Sequence, residues 1–320
     1  MQLTKTIAKY VIGIGLCIWL LSKVDLAATV DVLAQGDYSL YVVAFLCFGV
    51  SSLLEGVRLY TLVPDRRLAP ANIVRVISIS TFFNNFAASV VGDVYRTYEV
   101  ERAIRSWPQA LTVVFLDRLI GLGCLAALAA ICTLIVEPVW MDLINPADLG
   151  AVQANLPWLI AGSITMGAIA LFVAHRLRVL KKIWGWVVQA WSVLRGVTLP
   201  DWVVALAATI SAQLILTGMI HILLIAFGQS VDFSATLFSM LIVFLAAFIP
   251  ISVGSLGVRE GLLAVLLPLF GATPEAAVAA ALISRLMMYT YAAFGGIWFM
   301  LRRQEVTPPE PKNLEGSPNV

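Results

Sequence analysis

The sequence predicts an all-α polytopic membrane protein. Six full transmembrane helices and two broken or re-entrant helical hairpins form an inverted-topology repeat. Three observations predict this class. The 320 residues are 60% hydrophobic and 12% charged, where a soluble domain carries about 25% charged residues. Long apolar runs recur along the chain, too many to bury around one soluble core. Two further apolar regions are interrupted by polar and small residues at corresponding places.

A spanning helix needs about 20 apolar residues. The runs that qualify lie near 8–24, 39–62, 108–136, 156–175, 201–227 and 274–301. Lys5 and Lys9 precede the first run as in a signal peptide, but no clean small-residue cleavage site comes after it, so an uncleaved helix is expected. Region 71–91 holds Arg75, Asn84 and Asn85, and region 235–270 is broken by "IPISVGSLGVREG" at 249–261. Neither reads as a simple span.

Basic loops orient the set. Arg66 and Arg67, the run Arg176, Arg178, Lys181, Lys182 and Arg195, and Arg302 with Arg303 all belong on the cytoplasmic side. Segments 25–37 and 137–155 carry Asp and Glu but no Lys or Arg, and belong outside. Parity then requires each interrupted region, 71–107 and 235–270, to leave and return to the same face.

The two halves share one plan: helix, helix, broken hairpin, helix. A single integral membrane domain over 1–303 divides into pseudo-repeats 1–136 and 156–303, and the Pro-rich polar tail 304–320 is expected to be disordered and cytoplasmic. Asp93 comes directly after Gly92 and precedes Arg118 by 25 residues; Glu260 comes after "GSLGVR" and precedes Arg285 by the same interval.

Irregular backbone at membrane depth must be buried in protein or line a cavity, and broken helices expose amides that attract anions. Candidate substrate-binding or translocation residues are therefore Asn84, Asn85, Asp93, Arg96, Asp117, Arg118, Ser255, Gly257, Arg259, Glu260 and Arg285. Arginines 96, 118, 259 and 285 suit a phosphate, with Asp93, Asp117 and Glu260 compensating charge. The alternatives stay open: Arg96 as an interfacial anchor, Arg118 and Arg285 as structural partners of Asp93 and Glu260, and Asn84 and Asn85 as helix-breaking residues. Glu55 and Arg58, three apart, are expected to form a local pair. Asp201 is expected at a helix cap, and segment 176–196, with Trp184, Trp186 and Trp191, as an amphipathic helix on the cytoplasmic surface. Cys17, Cys47, Cys124 and Cys132 lie in apolar runs without metal-ligand spacing. His175 and His221 are isolated, and no cofactor or metal is expected.

"NNFAASVVGDVYRTYEVERA…VVFLDR" (84–118) and "FIPISVGSLGVREGLL…ALISR" (248–285) resemble the two signatures of the lysylphosphatidylglycerol synthase transmembrane-region family. Gly92, Asp93 and Arg96 match the end of the first, with "AASVV" in place of its Pro-Gly part and Asp93 in place of its usual Glu. Pro250, Gly254, Gly257, Glu260 and Arg285 match the second. The resemblance covers about residues 10–300. It implies a membrane domain that moves modified phospholipid across the bilayer. No soluble aminoacyltransferase domain is expected after the short tail, and relatives of this kind look like accessory proteins of lipid or polyprenyl-linked pathways.

The function expected is a lipid translocase, a flippase or transporter, moving a phosphate-containing headgroup across the bacterial cytoplasmic (inner) membrane with both termini cytoplasmic. Its partners would be membrane lipids (phospholipid, glycolipid or polyprenyl phosphate) and membrane proteins of a lipid pathway. A net charge of +2 gives no reason to expect nucleic acid. The alternatives are a non-transporting partner of a lipid-modifying system and a membrane enzyme acting on a lipid phosphate. No catalytic constellation is legible, so no enzymatic activity is expected.

Overall fold

The computed structural model describes residues 26–64, 67–86, 89–135, 195–247 and 252–303, with Gly15, Trp191 and Val193. Among the described residues there are nine α-helices and no strand: α1 (Leu26–Gln35), α2 (Tyr38–Leu62), α3 (Pro70–Phe86), α4 (Ser89–Ile104), α5 (Trp107–Ile135), α6 (Leu199–Ala226), α7 (Phe233–Ala247), α8 (Val258–Leu269) and α9 (Pro274–Arg303). A 3-10 turn, Val253–Ser255, precedes α8. The expected spans 39–62, 108–136, 201–227 and 274–301 correspond to α2, α5, α6 and α9. These four are long and apolar enough to cross a membrane. The expected spans 8–24 and 156–175 and the tail 304–320 lie outside the described residues, as does most of the Trp-rich segment 176–196. The acidic segment 25–37 contains α1, a helix the sequence reading did not assign.

The spanning helices are built for lipid outside and polar groups inside. Along α2, Val42, Val43, Leu46, Val50, Leu53 and Val57 are exposed, while Ser51, Ser52, Gly56 and Arg58 are buried. Without a hydrophobic drive between helices in lipid, small residues bring backbones into contact. The broad α2–α6 interface obeys that rule: Ser51 Oγ donates to the Ala212 carbonyl at 3.2 Å, beside buried Ala205, Ala208 and Thr209. Helix starts are capped by short polar side chains. Asp37 accepts from the Ser39 amide at 2.8 Å before α2. Thr198 and Asp201 form a capping box at the start of α6, so Asp201 caps from the third helical position and Thr198 is the N-cap.

The interrupted regions fold as two helical hairpins, α3–α4 and α7–α8. At 1.5 Å per residue their helices, 17, 16, 15 and 12 residues long, reach about 18–26 Å, short of the roughly 30 Å hydrocarbon thickness. α4 explains how so polar a helix sits in an apolar bundle. It turns Arg96, Thr97 and Glu99 inward and leaves Val90, Val91, Val94 and Tyr98 exposed. Glu99 is met by Arg75 of α3 at 3.7 Å and by Arg102 at 4.0 Å.

Hairpin and helix partners cross over between the halves. α3 packs on α9 and α7 on α5; α4 packs on α5 and α8 on α9; α2 packs on α3 and α6 on α7. α2 also touches α5 and α9, as α6 touches α9 and α5. These helix pairings are unchanged when α2–α5 are exchanged for α6–α9.

The α3–α9 crossing depends on Gly295, where a Cβ would fall 2.1 Å from the Ser78 carbonyl oxygen. That contact is with backbone and cannot be relieved by a rotamer change. Gly295→Ala is expected to cost about 1–3 kcal/mol through overpacking. Gly123→Ala, which meets open space, should be near neutral. Thermal unfolding of both variants in detergent checks the difference.

Candidate functional site

The end of α3 in the first hairpin meets the 3-10 turn of the second. α3 ends at Asn84, Asn85 and Phe86, and the 3-10 turn before α8 lies against that end. A Cβ on Gly254 would lie 3.1 Å from the Asn85 carbonyl oxygen, and Gly254 itself sits at φ 58°. Ser255 (φ 55°) and Gly257 (φ 80°) share the left-handed region, costly for the serine and easy for glycine. Asn85 Nδ2 donates to the Thr81 carbonyl at 2.8 Å, a bond to its own helix. Gly92 lets α4 close on α3, since a Cβ there would lie 2.2 Å from Asn84 Oδ1.

Two sets of charges fasten this region. In the second half, the Glu260 carboxylate accepts from the Gly257 amide at 2.8 Å and from Arg285 Nε. Arg285 Nη1 and Nη2 donate to the carbonyls of Gly254 and Ser255 at 2.9 and 3.2 Å. Arg285 is therefore a strut under the 3-10 turn, with its donors used on protein. The start of α8 faces the Glu260 carboxylate, so it is not an open anion site.

In the first half, Asp117 is fully buried and shared by two arginines. Arg58 grips it with two of its nitrogens, Nε to Oδ1 at 2.6 Å and Nη2 to Oδ2 at 3.1 Å. Arg96 Nη1 reaches Oδ2 at 3.4 Å, and its Nε donates to Ser80 Oγ at 2.8 Å. Arg58 thus pairs across the bundle with Asp117, and not with Glu55 one helical turn away. Glu55 instead meets Arg96 Nη2 at 3.7 Å. Two-point contact with a buried carboxylate outweighs a local pair at the helix surface. Arg118 donates through Nε and Nη2 to Asp93 Oδ1, at 3.1 and 2.6 Å.

Between these groups lies a cavity of about 290 Å³. Of the sequence-expected residues, Asn84, Asn85, Arg96, Asp117, Arg118 and Arg259 line it; Asp93, Ser255, Gly257, Glu260 and Arg285 do not. Sequence reasoning missed Ser51, Ser52, Glu55, Arg58 and Gln213 as wall residues. A charge or amide in the middle of an apolar span was the available signal for Arg58 and Gln213.

The lining is electropositive: Arg58, Arg96, Arg118 and Arg259 face Glu55 and Asp117. Arg259 is the imbalance. Its Nε and Nη2 are shielded from solvent and make no hydrogen bond. Its other contacts are Met288 Sδ at 4.0 Å and the Phe244 ring, 5.8 Å from centroid to guanidinium carbon. Asn84 Oδ1 and Gln213 Oε1 are likewise buried without a partner. A guanidinium with shielded, unbonded N–H groups is chemically suited to an oxyanion, because part of its desolvation is already met. Among the described residues no group of three or more His, Cys, Asp and Glu is placed to hold a metal ion.

A search of curated proteins found no match. A family model described as Lysylphosphatidylglycerol synthase TM region matches residues 6–295, nearly the whole chain. The two motifs that carry the resemblance fall on the two hairpins, and the chain belongs to the lysylphosphatidylglycerol synthase transmembrane-region family.

Proposed function

We propose that this multi-pass membrane protein is a lipid translocase that passes a phosphate-bearing headgroup through the central cavity while the acyl chains stay in the bilayer. The observation that carries this reading is Arg259, a part-buried arginine whose Nε and Nη2 are shielded from solvent without a hydrogen bond, facing a cavity walled by three more arginines. Arg118 and Arg96 complete the phosphate contacts; Asn84, Gln213 and Glu55 face the remainder of the headgroup. Membrane lipids are the ligands of this reading, and the inner membrane its location, with cytoplasmic termini.

The exchange symmetry of the helix pairings supports an inverted-topology repeat. The matched pairs Asp93–Arg118 and Glu260–Arg285 support it too, each 25 residues apart. The short hairpin helices and the contact between the hairpins support re-entry from opposite faces. Two related halves that exchange packing around one site are a workable basis for alternating access.

The test is reconstitution of the full chain in liposomes, with fluorescent phospholipid and polyprenyl-phosphate analogues as cargo. Wild-type protein is expected to move at least one of these phosphate lipids, and Arg259→Met to abolish the movement while remaining folded. Equal rates for wild type and Arg259→Met would sink the assignment of the cavity.

A further inference from the structure

The two matched ion pairs hold the same chemistry in different states. Glu260 and Arg285 are sealed, with side chains 2% and 7% exposed. Asp93 and Arg118 are 27% and 38% exposed, and both Arg118 hydrogen bonds go to a single oxygen, Asp93 Oδ1.

Both arginines occupy the same register on their helices. Arg118 lies eleven residues beyond Trp107, where α5 begins, and Arg285 lies eleven beyond Pro274, where α9 begins. At 1.5 Å per residue that is about 16 Å, near the middle of a hydrocarbon layer of roughly 30 Å. A part-exposed ion pair at that depth is costly against acyl chains. The apolar residues around it, Val94 on α4 and Phe115 and Leu119 on α5, are exposed as well. The pair is a polar gap in an apolar wall, and Arg118 also lines the central cavity.

We propose that the gap between α4 and α5 at Asp93–Arg118 is the portal through which a membrane lipid's phosphate reaches the cavity. Arg118 is its first ligand, given up by Asp93 to the phosphate. The acyl chains stay outside against Val94, Phe115 and Leu119. Arg259, which has no carboxylate to release, is the deeper and stronger ligand. The matched site at Glu260–Arg285 is shut, so the two halves differ in state. The portal rests on the translocase reading only for the movement of the lipid once it has bound.

The experiment replaces Cys17, Cys47, Cys124 and Cys132 and then introduces Asp93→Cys. The full chain is reconstituted in vesicles of digalactosyldiacylglycerol, a phosphate-free lipid. A water-soluble cationic thiol reagent is added in three arms: vesicles alone, vesicles containing phosphatidic acid, and vesicles with inorganic phosphate in the buffer. Asp93→Cys is expected to react readily, and Ser284→Cys, buried beside Arg285, not to react. Phosphatidic acid should slow the Asp93→Cys reaction about ten-fold, as expected for a ligand near ten times its Kd, and inorganic phosphate should slow it far less. Val94→Cys, exposed next to Asp93 and leaving Arg118 in place, gives the same readout if the first variant does not fold. Equal labelling in all three arms overturns the portal, as does equal protection by inorganic phosphate. Phosphatidic acid movement without protection overturns the portal and leaves the translocase reading intact. Protection without movement of any lipid leaves the portal standing and removes the translocase reading.

Discussion

Arg285→Ala is expected to leave little folded protein, whereas Arg118→Ala is expected to fold and fail to move lipid. Both residues are arginines on spanning helices, each paired with a carboxylate 25 residues earlier. Their environments separate them. Removing Arg285 leaves Glu260 buried without its cation. It also strips donors from the carbonyls of Gly254 and Ser255, in a turn where Gly254, Ser255 and Gly257 all hold left-handed backbone. Breaking a buried pair on one side costs about 3–5 kcal/mol, a large share of the roughly 5–15 kcal/mol that holds a domain together. The Asp93–Arg118 pair is part-exposed, and both Arg118 hydrogen bonds go to Asp93 and none to a backbone carbonyl, so its loss disturbs the fold less. Size-exclusion profiles and thermal unfolding in detergent check the first half of the prediction, and liposome translocation the second. If Arg285→Ala unfolds no more readily than Arg118→Ala, the strut role of Arg285 is wrong.

That contrast marks where the sequence stopped being informative. Span length is a property of one continuous apolar run, so α2, α5, α6 and α9 were readable within a residue or two. The hairpins were readable as interruptions, because Asn84, Asn85 and Gly254 break patterns that lipid otherwise imposes. Partner choice was not. Glu55 and Arg58 suit a local pair at three-residue spacing, but Arg58 finds a fully buried carboxylate 59 residues away. Gly121 leaves it room, since a Cβ there would lie 3.1 Å from Arg58 Nη1. Nothing local in α2 encodes Asp117. The equal spacing of the pairs Asp93–Arg118 and Glu260–Arg285 was visible, and both pairs form. Whether each arginine serves ligand or backbone depends on which carbonyls the fold brings beside it, and that is a tertiary property.

Arg259→Met is expected to raise stability and remove function together. Arg259 carries a charge with Nε and Nη2 shielded from water and without a hydrogen-bond acceptor. Such a group costs folding free energy that no local contact returns; the Phe244 ring at 5.8 Å offsets only a small part. Methionine keeps much of the side-chain volume, adapts its shape, and removes the desolvated charge. The unliganded variant should therefore be more stable than wild type by about 1–3 kcal/mol. Added phosphatidic acid should raise the unfolding temperature of wild type, because a ligand that binds only the folded state stabilises it by mass action. It should leave Arg259→Met unchanged. A destabilised Arg259→Met with an intact lipid response would mean that Arg259 is satisfied within the fold and that the phosphate site lies elsewhere. A stabilised variant blind to lipid would identify Arg259 as a cation kept at the expense of stability because an anion passes it.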